Sequence, residues 1–188
     1  MRALGAAYEG AFASRVLAQN LETLAPFASA LSGAGSWRSP PGGLLQGRFG
    51  FGDYSSGLVY NSPLNLAVPY ELGVIIPLES TNNANGNVVG GPARFGGPWA
   101  RWTWETWDKT NRAWRLRQGL MVTMMPNGNF YLKFAGGANY GDTVYASLVD
   151  GTAVSGSGVA NTVETNFKVC GNGAPGRLVI VSSSAKFT

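Results

Sequence analysis

The sequence predicts a mainly-β chain, a sandwich or barrel built from short strands. Three observations carry that expectation. Runs of alternating or β-branched apolar residues recur in the C-terminal half, at Phe130–Phe134, Thr143–Val149, Val163–Val169 and Arg177–Ser182. Turn chemistry separates them, at Gly136-Gly137, Asp150-Gly151 and Gly171–Gly176. The 27 glycines and 10 prolines leave few places for long helices. Short strands at such spacing belong to sandwiches and barrels. The 188 residues suit one domain, or one core domain with a long insertion, and can bury a core without disulfide or metal staples.

Taken in chain order, residues 1–33 are Ala-rich, with Phe12, Val16, Leu17, Leu21 and Leu24 at roughly helical spacing. A helix ending before Pro26 is one expectation, and an extended arm is its rival. Gly33–Ser36 and Ser39–Gly43 are turn chemistry. Arg48-Phe49-Gly50-Phe51-Gly52-Asp53-Tyr54 alternates aromatic with small or polar residues, which predicts a short strand with close backbone approach at its glycines. Leu58–Leu78 is apolar and broken by Pro63, Pro69 and Pro77, with Val74-Ile75-Ile76 as a buried strand. Residues 79–98 form a long Gly/Pro/Asn-rich loop, expected as an exposed excursion. Residues 99–118 predict a hairpin turning at Asp108–Asn111, with Trp114 and Leu116 on one face and Arg115 and Arg117 on the other. Leu120–Met125 and Phe130–Phe134 flank Pro126-Asn127-Gly128-Asn129, and an Asn-Gly between such runs predicts a second hairpin.

Composition narrows the function. Hydrophobic residues make up 45% and charged residues only 13%, against about a quarter charged in ordinary soluble domains. Polar uncharged residues or a partner protein must cover the surface. The net charge of +4 and pI near 9.4 come without a run of like charges, so a nucleic-acid tail is not expected. An ordinary slightly basic surface and attraction to an acidic protein lattice both remain open. The chain has no histidine, which removes His metal sites and Ser-His or Cys-His triads. Cys170 stands alone, so no intrachain disulfide forms, and a buried reduced thiol is expected. No apolar run approaches the ~20 residues that span a bilayer. Met1–Gly5 make a poor secretion signal, so the expected place of synthesis and retention is the cytosol unless something larger carries the protein out.

Catalytic constellations are scarce. Glu105 and Asp108, or more loosely Glu71 and Glu79, could serve as paired carboxylates, but solvated strand and turn charges explain them better. The glycines of Gly50-Phe51-Gly52 form no phosphate loop, and Asp53, Asp142 and Asp150 form no calcium loop. Five of the six tryptophans, at 99, 102, 104, 107 and 114, crowd the predicted hairpin with interleaved arginines. They fit three roles: core filling, a protein interface, or stacking on a ligand such as a sugar.

The C-terminal third carries a resemblance. Trp114–Val122 leads to Gly141-Asp142-Thr143-Val144-Tyr145 and on to Gly151; Val163–Val169 and Gly176–Ser182 follow. This series resembles the structural cement, or decoration, proteins of tailed phages. Ala7-Tyr8-Glu9-Gly10-Ala11-Phe12-Ala13, Val16–Asn20 and Ala25-Pro26-Phe27 look like the opening of that family. The likeness covers roughly residues 5–30 and 114–188. It departs at Ala28, where the family usually has glycine, and through residues 36–113, which are longer and richer in Trp and Pro.

The resemblance implies a β-barrel or jelly-roll-like body, residues 36–188, with an extended N-terminal arm, residues 1–35. It implies no catalysis, no cofactor and no metal. The implied partners are the major capsid protein of the same phage and copies of the chain itself, as dimer or trimer, with neither nucleic acid nor membrane. The implied location is the capsid surface of the virion, after synthesis in the host cytoplasm. The residues expected to make the contacts are Tyr8 and Phe12 of the arm, and Trp99, Arg101, Trp102, Trp104, Trp107 and Arg115 of the hairpin. A carbohydrate-binding β module using the same tryptophans is the alternative.

Overall fold

A computed structural model of the chain describes residues 37–75, 105–120, 122, 124–156 and 159–184. Every regular element among them is a strand: β1 (Leu44–Leu45), β2 (Phe49–Asp53), β3 (Leu58–Tyr60), β4 (Tyr70–Ile75), β5 (Glu105–Asp108), β6 (Ala113–Leu116), β7 (Met124–Met125), β8 (Asn129–Lys133), β9 (Thr143–Ser147), β10 (Ala153–Ser155), β11 (Thr162–Val169) and β12 (Leu178–Ser182). Their neighbours are antiparallel throughout, in sheets ordered β1-β6-β5, β3-β2-β4-β7 and β10-β9-β11-β12-β8. The β-sandwich class predicted from the sequence is what forms. The N-terminal arm and the loop at 79–98 lie outside the described residues.

The five-stranded sheet follows period-2 logic. Phe130, Leu132, Val144, Ala146, Phe167, Val169, Val179 and Val181 are buried on its inner face, while Tyr131, Lys133, Tyr145 and Ile180 look outward. The register of β11 on β9 shifts between Glu164 and Lys168, and such an irregularity tightens the bend of a sheet. The sheet curls until Phe134, just past β8, bridges Ala153 of β10. The result is a half-barrel with a hydrophobic concave face.

β2 fills that concavity. Phe49 and Phe51 face the half-barrel, and the Phe49 ring lies 5.9 Å from Phe167, itself 5.8 Å from Phe130. The alternate residues, Gly50 and Gly52, face the other way. A Cβ at Gly50 would stand 2.6 Å from Val59 Cγ1, and one at Gly52 would stand 2.8 Å from the Trp37 ring. These glycines make room for a second core of Trp37, Leu44, Val59, Ile75, Leu116, Val122 and Met124, between the four-stranded and three-stranded sheets. The Phe-Gly-Phe-Gly alternation therefore builds two different cores from one strand, and the four-stranded sheet is a middle layer.

Three ties hold the layers together. Trp37–Ser39 is stitched between β3 and the stretch before β7: Val59 donates to Arg38 O (3.0 Å), Val122 to Trp37 O and Ser39 to Leu120 O (both 2.9 Å). Gly151, at φ 71°, sits where a Cβ would run into the Phe49 carbonyl oxygen, and it accepts from the Phe49 N–H (2.8 Å). Arg48, only 6% exposed, pairs with Asp150 at 2.9 Å and donates to Asn111 O at 3.0 Å. It thus links the β9–β10 turn to the β5–β6 turn.

The structure corrects one turn. Asn127-Gly128 does not join paired strands, because β7 pairs with β4 and β8 pairs with β12. It is a corner at which the chain changes sheets. Gly128 N–H donates to Ser183 Oγ (2.8 Å), Ser183 N–H donates to Gly128 O (3.0 Å), and Asn166 Nδ2 donates to Asn127 Oδ1 (2.6 Å). These bonds to the half-barrel take the place of a hairpin partner. Of the described residues in the preceding predicted strand, Met124 and Met125 form β7, while Leu120 and Val122 lie outside any strand.

Candidate functional site

Within the hairpin predicted over residues 99–118, the described part pairs β5 with β6 through residues 109–112. Trp107 stands opposite Trp114, their rings edge-to-face at 5.3 Å, and Trp107 remains 47% exposed. Asp108 closes the turn. It accepts from the Asn111 N–H and Asn111 Nδ2, both at 3.0 Å, and from Arg115 Nη2 at 2.7 Å. The Asn111 N–H foremost, then Arg115, hold the Asp108 carboxyl far below the usual carboxylate range. Such a group is a turn cap, and no proton donor. Arg115 also donates to Gly42 O at 3.2 Å, so it braces β1 and β6.

A second exposed feature lies between β3 and β4. The nine residues Asn61–Pro69 carry no charge, and Leu64, Leu66 and Val68 within them are 68%, 53% and 44% exposed. The loop is anchored at its start. Leu45 N–H donates to Asn61 Oδ1 (2.7 Å), Asn61 Nδ2 donates to Leu45 O (3.0 Å), and Ser62 Oγ donates to Leu148 O (2.7 Å). Leu64 and Val68 line a cleft of about 190 Å³ together with Phe51, Asp53, Tyr60 and Tyr70. That is smaller than the ~300 Å³ at which small-molecule pockets begin. Isolated surface apolar residues are ordinary, but three on one short uncharged loop form a patch of the kind that marks contact sites.

Chemistry is sparse elsewhere. Burial pushes the Cys170 thiol up, away from the reactive thiolate. Among the described residues no three of His, Cys, Asp and Glu gather as a metal set. Of the residues expected to make contacts, the structure brings Trp107 and Arg115 onto neighbouring strands. Tyr8, Phe12, Trp99, Arg101, Trp102 and Trp104 lie outside the described residues. Sequence reasoning missed the Leu64–Val68 patch. Its signal was present: alternating aliphatic residues without charge between two prolines, which confine such a stretch to an edge or a turn.

Residues 106–183 match the family model described as XM1 gp53 minor capsid protein. The match supports a phage capsid-associated protein family. It runs from β5 through β12 and so takes in the whole half-barrel and the described hairpin. At this level it supports a structural role in the phage capsid, association with the capsid and a place in the virion. A search of the curated proteins finds no match. Among the described residues no helix is long and apolar enough to cross a membrane.

Proposed function

We propose that the chain is a cement, or decoration, protein that binds the outer surface of a phage capsid and stabilises contacts between capsomers. The observation that carries this reading is the exposure of Leu64, Leu66 and Val68 on one uncharged loop, and of Trp107 on the hairpin, in a chain with 13% charged residues and a capsid-family match. The partners in this reading are the major capsid protein and sister copies of the chain. Tyr8, Phe12, Trp99, Arg101, Trp102, Trp104, Trp107 and Arg115 are the proposed contacts, and the Leu64–Val68 loop joins them. One such contact buries on the order of 800 Å² per partner. Repetition across a lattice multiplies weak contacts into firm attachment.

Co-sedimentation with intact virus heads tests the reading. Replacing Trp107→Ala together with Leu64→Ser and Leu66→Ser is expected to leave the chain folded and to lower head occupancy. Unchanged occupancy overturns the contact assignment. The half-exposed Trp107 ring also favours a second reading, stacking on a sugar. Glycan-array binding that disappears in Trp107→Ala would select it.

A further inference from the structure

We propose that Glu71, with Tyr54 and Trp37, forms a seat for a basic side chain, Lys or Arg, presented by the capsid partner. The proposal rests on the cement reading for the identity of the partner, and on geometry for the seat itself.

Glu71 lies on β4 directly opposite Gly52 of β2. Because Gly52 has no side chain, the Trp37 ring packs over it, which brings the indole beside Glu71. The Tyr54 ring lies 5.4 Å from that of Trp37, and its hydroxyl donates to Glu71 Oε2 at 3.3 Å. Tyr54 is 55% exposed, so the arrangement opens to solvent. The Trp37 indole N–H is near enough to favour the charged carboxylate, yet it is buried and makes no hydrogen bond.

What distinguishes Glu71 is how little its carboxylate receives. Asp53 is held by Ser55 and Ser56, Asp142 by Asn139 and Ser155, Asp108 by Asn111 and Arg115, and Asp150 by Thr152 and Arg48. Glu71 is half-buried and receives one long bond from a tyrosine. Neither the Arg48–Asp150 nor the Arg115–Asp108 ion pair involves it. Burial, the largest influence, raises its carboxyl above the ordinary range, whereas the four aspartates are held low. A carboxylate partly withdrawn from water with one long hydrogen bond is costly unless a cation meets it. The exposed Tyr54 ring also attracts a cation, and a guanidinium can grip the carboxylate through two parallel bonds.

The test has two arms. In the first, the full chain is titrated with N-acetyl-arginine amide, and with its neutral citrulline counterpart, while the Trp37 indole N–H and Tyr54 resonances are followed by NMR. A saturable shift with the arginine probe only, abolished in Glu71→Gln, is expected. Equal shifts with both probes, no saturable shift, or an undiminished shift in Glu71→Gln overturns the seat. In the second, Glu71→Gln is expected to lower affinity for virus heads about tenfold while raising the thermal stability of the free chain at neutral pH. Loss of stability instead would make Glu71 a structural acceptor and overturn the proposal. Probe binding with unchanged head affinity overturns the capsid as the partner. If the unsubstituted chain ignores heads altogether, the cement reading falls, and with it the capsid partner, while the first arm still decides whether the seat exists. Tyr54→Phe, which removes only the hydroxyl, serves as the fold-preserving second variant and is expected to weaken the probe less than Glu71→Gln.

Discussion

The half-barrel and the layers stacked on its open side are built on different plans. The half-barrel packs Phe130, Phe134, Phe167 and a set of valines against one another, and its exposed apolar residues, Tyr140, Val149, Val159 and Ile180, are dispersed over its loops and outer face. The middle and outer layers pack through glycines, hold a buried arginine, and gather Leu64, Leu66 and Val68 on one loop. The first plan fills a core with large side chains and needs no partner. The second accepts costs, a buried Arg48 whose Nε finds no hydrogen-bond partner and an undersupplied Glu71, and carries three exposed apolar side chains on one loop. The difference teaches that one sandwich can hold a densely filled layer beside layers built on close backbone approach and buried polar groups.

The contrast is most sharply broken where the two plans meet. Phe167→Ala removes the ring that joins Phe130 to Phe49, and is expected to cost about 3–5 kcal/mol. Urea denaturation measures it, and a loss below about 1 kcal/mol would show that this ring is not a core link. Gly50→Ala tests the glycine packing, since its Cβ would press on Val59 and Ile75. A loss of up to about 3 kcal/mol is expected. Gly136→Ala, with nothing within 4 Å of its Cβ, is the control and should move stability by less than about 0.5 kcal/mol.

Asp150→Asn keeps the shape of the β9–β10 turn but leaves Arg48 without its countercharge, for an expected loss of about 1–2 kcal/mol at neutral pH. Burial pulls the Asp150 carboxyl upward, but Thr152 foremost, then Ser147 and last Arg48, together outweigh it and hold the group low. A carboxylate with a depressed folded pKa contributes stability that is full above its unfolded value, near 3.9, and is lost as pH falls through the folded value. The variant should therefore lose less stability than the parent on acidification below about pH 4. Equal acid profiles would show that Asp150 contributes nothing through its charge. The smallest expected effect is at the hairpin turn. Arg112 holds a left-handed backbone at φ 49°, so Arg112→Gly should stabilise the chain by up to about 1 kcal/mol in thermal unfolding.

Much of this was legible in the residues themselves. Alternation along Phe130–Lys133, Thr143–Ser147 and Leu178–Ser182 tells which side chains share a face, because the strand period is a local property. The alternation of Phe and Gly from Phe49 to Gly52 announced a close approach at the glycines for the same reason. The missing histidines and scattered acids removed the commonest catalytic arrangements. Tertiary structure alone decided which faces meet. Asn127-Gly128 specifies a reversal, but whether the next strand returns beside the last or joins another sheet depends on partners far along the chain, here Ser183 and Asn166. β1, β3 and β10 are two or three residues long and exist only because a partner strand completes their hydrogen bonds. The burial of Arg48 and the near-isolation of Glu71 are likewise products of assembly. Charge is written in the sequence, whereas the solvent and neighbours that set its energy are supplied by the fold.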